Sequence, residues 1–287
     1  MKYVYHYTSL DALRSILGSE ICLWATKYKY LNDPSEKIWA EKYVLEAIKK
    51  MDGFQQDTSI HIQNWLSKDA YILSLCSKGD DRNMWRLYSN DGKGVCLILD
   101  REVLLETCWN KMCKDANNNF VIVENVEYAK PEGVEKAIKK CLNKEAFNIM
   151  DEELESRLMR IAPFIKNADF KIENEIRCAI LREFGKISMS YDEISNRPGK
   201  ETVEKNYHNV KYRMRGNELI PYIEIKLPAK ALKGITLGYE VEENVATDYI
   251  NSIISDNMEF YRGLKILKSK RFSSADKNNY NKLISEH

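Results

Sequence analysis

The chain has 287 residues, enough for one large domain or two small ones, and its 44% hydrophobic and 30% charged content is ordinary for a globular protein. Its 44 basic and 43 acidic residues leave a formal charge of +1, which excludes a global electrostatic footprint for nucleic acid while allowing a local patch. The longest apolar runs, such as Val95–Leu99, are too short to span a bilayer, and no secretory signal follows Lys2, so a cytoplasmic location away from membranes is expected.

The first segment, YVYHYTSLDALRSILGSEICLWATKYKYLNDPSE, reads as a short strand ending in His6-Tyr7-Thr8-Ser9. A helix over Leu10–Leu17 and a strand over Ile21–Ala25 follow, then two tyrosines and the turn Asn32-Asp33-Pro34. Helical spacing marks Glu36–Met51 and Ile60–Leu66. A β-rich run covers Tyr71–Cys76, the polar turn Ser77–Asp81 follows, and Asn83–Tyr88 makes one or two helical turns. After the turn Asn90-Asp91-Gly92, Gly94–Asp100 is the best central strand, and Val121–Tyr128 is another. Gly133–Ala168 is charged, helix-periodic and interrupted by Pro163, which predicts a helical insertion at about 131–170.

Glu173–Leu181 returns to strand, with Ile187–Tyr191 expected as its partner. Ser195–Gly216 reads as a long exposed loop. Leu219–Leu227 is a strand, in which Pro221 is tolerable near the start or on a sheet edge. A helical turn at Ala229–Leu232, a strand at Ile235–Gly238, a helix at Glu242–Asp256 and a strand at Leu264–Ser269 complete the order, before a terminal helix or frayed tail over 274–287. The sum is an α+β fold, read as one domain over residues 1–287 because no linker divides it. The seven cysteines form no CxxC pair and their odd count argues against a complete disulfide framework. Cys22, Cys76, Cys96 and Cys178 lie in apolar strands and are expected to be small buried residues. Four histidines without ligand-spaced partners predict no metal site.

Four constellations could carry chemistry. His6 beside Thr8 at a strand end can orient a ribose or an amide, or else sit in the core with its nitrogens on backbone groups. Tyr28, Tyr30, Asn32 and Asp33 offer ring faces beside a turn, or simply a structural turn with surface tyrosines. In Lys171–Ala179, strand geometry puts Glu173, Glu175 and Arg177 on one face, suiting stabilisation of positive charge at an anomeric carbon or, equally, a solvated strand face with Arg177 paired to a neighbour. Trp85 and Arg86, ahead of a glycine turn, could contact a phosphate, though Trp85 also suits a core. Basic residues cluster in Lys205–Arg215 and Lys265–Arg271, as solvated charge or a local patch. No dinucleotide-binding glycine motif, phosphate-binding loop or GxSxG element is present.

The ordered segments YHYTSLDALRSIL, LNDPSE, MWRLY, GVCLILD, ENEIR and ITLG resemble a bacterial family known as domain-of-unknown-function family 2971. That family is more loosely similar to the ADP-ribosyltransferase superfamily. The resemblance implies an ADP-ribosyltransferase-like mixed sheet core and NAD as substrate, with ADP-ribose passed to a protein or nucleic-acid acceptor. It further implies a bacterial toxin or phage-defence effector with an antitoxin or defence-system partner. It carries over His6 and Thr8 as anchors of the nicotinamide ribose, Tyr28 or Tyr30 as the stacking ring, and Glu175 as the catalytic glutamate with Glu173 before it. Tyr7, Ser9, Asn32, Asp33, Trp85, Arg86 and Arg177 complete the expected NAD contacts. Leu31 stands where the family has an aromatic residue, which leaves Tyr28 and Tyr30 open as alternatives. A non-catalytic nucleotide- or nucleic-acid-binding module, stacking bases on Tyr5, Tyr7, Tyr28 and Tyr30, is the alternative, with NAD hydrolysis a third.

Overall fold

The computed structural model describes residues 1–32, 34–51, 70–108, 119–147, 154–182, 187–192, 197–203 and 209–270. The expected helix at Ile60–Leu66, the tail over 274–287, Asp33 and Cys113 lie outside them. In chain order the strands are β1 (Tyr3–Thr8), β2 (Glu20–Lys27), β3 (Ala70–Cys76), β4 (Val95–Asp100), β5 (Asn119–Asn125), β6 (Glu127–Ala129) and β7 (Ile165–Asn167). They continue with β8 (Glu175–Arg182), β9 (Ile187–Asp192), β10 (Arg197–Val203), β11 (Val210–Arg215), β12 (Glu218–Pro228), β13 (Leu232–Leu237) and β14 (Lys265–Lys268). Strands and helices do not alternate strictly, and parallel and antiparallel pairs both occur, so the α+β reading holds at that level. The chain divides into two compact units, unit 1 with Met1–Cys22, Leu75–Leu104 and Lys226–His287, and unit 2 with Leu23–Ser74 and Leu105–Ile225.

Unit 1 is organised on β4, whose first five residues are buried, as its apolar run requires. β1 pairs antiparallel with it from Tyr3↔Asp100 to Thr8↔Val95. On the other side β13 runs antiparallel, with a register shift between Leu232 and Gly234, and β14 adds parallel to β13. Tyr5, Tyr7, Cys76, Met84, Trp85, Cys96 and Ile98 form a core cluster over this sheet. The Arg82–Tyr88 helix starts where the Asp81 carboxylate accepts from the Asn83 and Met84 N–H groups. It ends in Asn90, Asp91 and Gly92, all at positive φ, residue types that enter the left-handed region most cheaply. Gly94 then passes so close to β1 that a Cβ there would lie 2.2 Å from the Thr8 carbonyl oxygen. The later Glu243–Ile254 helix is capped by Glu242, whose carboxylate accepts from the Asn244 and Val245 N–H groups.

In unit 2, β8 runs antiparallel to β5 from Asn119↔Arg182 to Asn125↔Ile176 and lies between β5 and β3. Beyond β3 come β2, β12 and β11. The helices Pro34–Lys49, Val134–Leu142 and Leu154–Ile161 contribute Val44, Ile48, Ile138 and Leu158 to a core shared with Phe147, Phe164 and Ile72.

Three expectations are corrected. The helical block is broken by β7, which pairs parallel with β6 through Glu127↔Ile165, Tyr128↔Lys166 and Ala129↔Asn167. Pro163 ends the helical pattern there, and three residues are too few to show a strand period. The supposed loop 195–216 contains β10 and β11; β11 pairs with β12 from Val210↔Ile223 to Arg215↔Glu218 and stands at the end of the strand order among the described residues. Its alternating cations suit such an edge strand and imitate a polar loop. Of the Leu10–Leu17 helix only Leu13–Ile16 is α-helical.

Candidate functional site

Unit 2 holds a buried charge cluster built from four segments. Glu36 enters from the first turn of the Pro34–Lys49 helix, Lys166 from β7, Arg177 from β8 and Glu173 from the short 3-10 stretch Ala168–Glu173. Asn174, at φ 46°, turns the chain so that β8 begins at Glu175. Glu173 is therefore outside the strand, contrary to the expectation of a shared strand face, yet its carboxylate still converges with that of Glu175.

The pairing is dense. The Lys166 ammonium lies 3.0 Å from Glu36, 2.6 Å from Glu173 and 3.1 Å from Glu175, one carboxylate for each of its three N–H donors. Arg177, fully buried, donates from Nε to Glu175 Oε1 at 2.8 Å and from Nη2 to Glu175 Oε2 at 3.0 Å. It also donates to the Glu36 carboxylate and to the Pro163 carbonyl. Ser74 Oγ donates to Glu175 Oε1 at 2.7 Å, and the Glu175 N–H is held by the Tyr128 hydroxyl at 2.8 Å. Three carboxylates against two cations leave a formal charge of −1.

Burial alone would push the Glu175 carboxyl up. The opposing charges of Arg177 and then Lys166, with hydrogen bonds from Arg177 and Ser74, instead hold it down at about 2. Burial likewise works against the charged forms of Lys166 and Arg177, and the surrounding carboxylates overcome it and raise both. Glu175, Lys166 and Arg177 are thus each held in the charged form, with Glu175 an acceptor that keeps its charge at any ordinary pH. Ser74 is the cluster's one exposed member.

The remaining expected site residues fall in both units. In unit 1, His6 is half-buried on β1 opposite Leu97, and Thr8 is half-buried with its carbonyl accepting from the Ser89 hydroxyl at 2.9 Å. The Tyr7 hydroxyl donates to the Lys78 carbonyl at 2.9 Å and accepts from the Asp81 N–H at 2.8 Å, while its ring meets Trp85 edge-on at 5.0 Å. Trp85 is fully buried and donates to Asp80 at 2.7 Å, which makes it core. Ser9 accepts from the Ala12 N–H, and exposed Arg86 lies 3.9 Å from Asp91.

In unit 2, Tyr28 is only 2% exposed and belongs to the core, whereas Tyr30 is half-exposed. Arg215 ties the Tyr30 segment down, donating to the Tyr30 carbonyl at 3.1 Å and to Asn32 Oδ1 at 3.0 Å. The structure therefore brings Glu173, Glu175 and Arg177 together, and separately Tyr7 with Trp85. Sequence reasoning missed Glu36, Ser74, Lys166 and Arg215. The acid of LNDPSE was a visible signal for Glu36, whereas Lys166 was masked by the helical reading of its segment.

Among the described residues no group of His, Cys, Asp and Glu could hold a metal ion, and no helix is long and apolar enough to cross a membrane. No curated protein and no solved structure matches the chain. The family model described as Protein of unknown function (DUF2971) matches residues 84–178, and this is the family that the sequence motifs resemble.

Proposed function

We propose that the protein cleaves the nicotinamide–ribose bond of NAD and transfers ADP-ribose to a macromolecular acceptor, with Glu175 stabilising the cationic sugar as nicotinamide departs. The observation that supports this reading is a carboxylate held at about 2 inside a cluster of formal charge −1 and hydrogen-bonded to the exposed Ser74. A fixed anion facing developing positive charge lowers the barrier without reorganising at the moment of reaction. A ribose hydroxyl would take the place of the Ser74 hydroxyl as donor to Glu175 Oε1. Of the two tyrosines, Tyr30 retains ring surface for stacking on nicotinamide.

The test is to incubate the protein with labelled NAD and cell lysate, then measure free nicotinamide and label attached to macromolecules. Label on protein or nucleic acid supports transfer, while nicotinamide without attached label identifies hydrolysis.

A second reading, a non-catalytic nucleotide- or nucleic-acid-binding module, is favoured by the complete pairing of Glu175, which a purely structural ion cluster would also show. Salt-sensitive affinity for RNA or DNA, with no nicotinamide released, selects it.

A further inference from the structure

Unit 1 contains a cleft of about 340 Å³, within the size range of small-molecule sites. Among the described residues of its lining, the charged ones are the cations Lys230, Lys233, Arg262 and Lys265. Asp100 lies 3.6 Å from Lys233, and its other oxygen already caps a helix through the Glu102 and Val103 N–H groups. Aromatic surface comes from Tyr3 and from Phe260, which is 48% exposed.

The fold sets this lining in place by two devices. The register shift between Leu232 and Gly234 inserts Lys233 as an extra residue in β13, the arrangement by which a bulge re-aims a side chain. The chain then returns through Gly263, at φ +82°, in a turn closed by the Leu264 N–H on the Tyr261 carbonyl at 2.9 Å. Tyr261 is pinned by its hydroxyl donating to the Gly18 carbonyl at 2.6 Å, which fixes its neighbours Phe260 and Arg262. Lys265 belongs to the basic cluster evident in the sequence, and the cleft gives that cluster a setting.

We infer that this cleft binds a free nucleotide, its phosphates on the Lys230, Lys233, Arg262 and Lys265 side chains and its base against Phe260 and Tyr3. Cations supply charge-assisted hydrogen bonds to phosphate oxygens, and an aromatic ring accepts any base by its π-face. The site is independent of Glu175 and of the proposed NAD cleavage.

The experiment is calorimetric titration of the full-length protein with ATP, adenosine and inorganic tripolyphosphate, alongside the surface variants K230A/R262A and F260A. Saturable ATP binding is expected, tighter than that of adenosine or tripolyphosphate. K230A/R262A should weaken ATP roughly tenfold or more for the lost charged contacts. F260A should bring ATP towards the tripolyphosphate value, and both variants should keep the native thermal midpoint and the NAD-cleaving rate. Absence of saturable ATP binding, ATP affinity unchanged in K230A/R262A, or equal affinity for ATP and tripolyphosphate that F260A does not alter would each overturn the proposal. Tight salt-dependent binding of single-stranded oligonucleotide without binding of ATP would overturn it as well.

Discussion

Unit 2 and unit 1 handle positive charge in opposite ways. In unit 2, Lys166 and Arg177 are removed from water and every donor of the lysine meets a carboxylate, whereas in unit 1 the cations around the Phe260 cleft stay exposed or half-exposed, with Asp100 3.6 Å from Lys233. Desolvating an ion costs several kcal/mol, so a buried charge must be matched inside the protein, and each member of the match becomes indispensable to the others. Exposed charge carries no such demand and remains available to a ligand. Substitutions in the two regions should therefore differ in kind: stability first in unit 2, binding first in unit 1.

The largest effect is expected for Arg177→Met. It strands Glu36 and Glu175 against Lys166 alone and leaves the Pro163 carbonyl without its donor. Breaking such a network from one side typically costs about 3–5 kcal/mol, readable as a lower urea midpoint. A change below about 1 kcal/mol would mean that the cluster is not closed as described.

Acidification attacks the same cluster through Glu175. An unfolded glutamate titrates near ~4.3 and the folded group is held at about 2, so its contribution is fully present above the unfolded value. That contribution is lost as pH falls from roughly 4.3 towards 2. Denaturation midpoints followed from pH 5 downward should drop more steeply in the native protein than in Glu175→Gln; parallel slopes would contradict the assignment.

A smaller loss is expected for Tyr7→Phe, which keeps the ring contact with Trp85 and removes the hydroxyl joining Lys78 to Asp81. About 1–2 kcal/mol should disappear, because one backbone donor and one acceptor lose their partner in a half-buried setting. Arg86→Ala marks the lower end. Its 3.9 Å pair with Asp91 is 65% and 75% exposed, and thermal melting should stay within about 0.5 kcal/mol of wild type.

The parts of the molecule legible in the sequence are those with a strong local pattern. β4 announced itself through VCLILD, and the helices expected at Asn83–Tyr88 and Glu242–Asp256 appear as Arg82–Tyr88 and Glu243–Ile254. β7 was hidden because a three-residue strand ending a helical block has no period of its own. β10 and β11 were hidden because charged strands look like loop until a partner is supplied. At the cluster, the ENEIR segment drew attention to Glu173, Glu175 and Arg177, but the pairing with Glu36, 141 residues away from Arg177, is a product of tertiary folding alone. The same is true of Ser74, an ordinary serine in YILSLC until β3 lies beside β8. Trp85 and Tyr28 show the converse: rings that could have faced a ligand were claimed by the core.

The most direct test compares nicotinamide release from NAD by the native protein, Glu175→Gln and Ser74→Ala, with circular dichroism verifying that each is folded. Wild type should release nicotinamide, and the glutamine variant should lose rate by ~10²-fold or more, the scale of one electrostatic contact in a transition state, while still binding NAD. Ser74→Ala, which removes only the competing hydroxyl, should keep or raise the rate. Release unchanged in a folded Glu175→Gln protein, or no release by the native chain, would contradict the account and leave the cluster as a structural clamp.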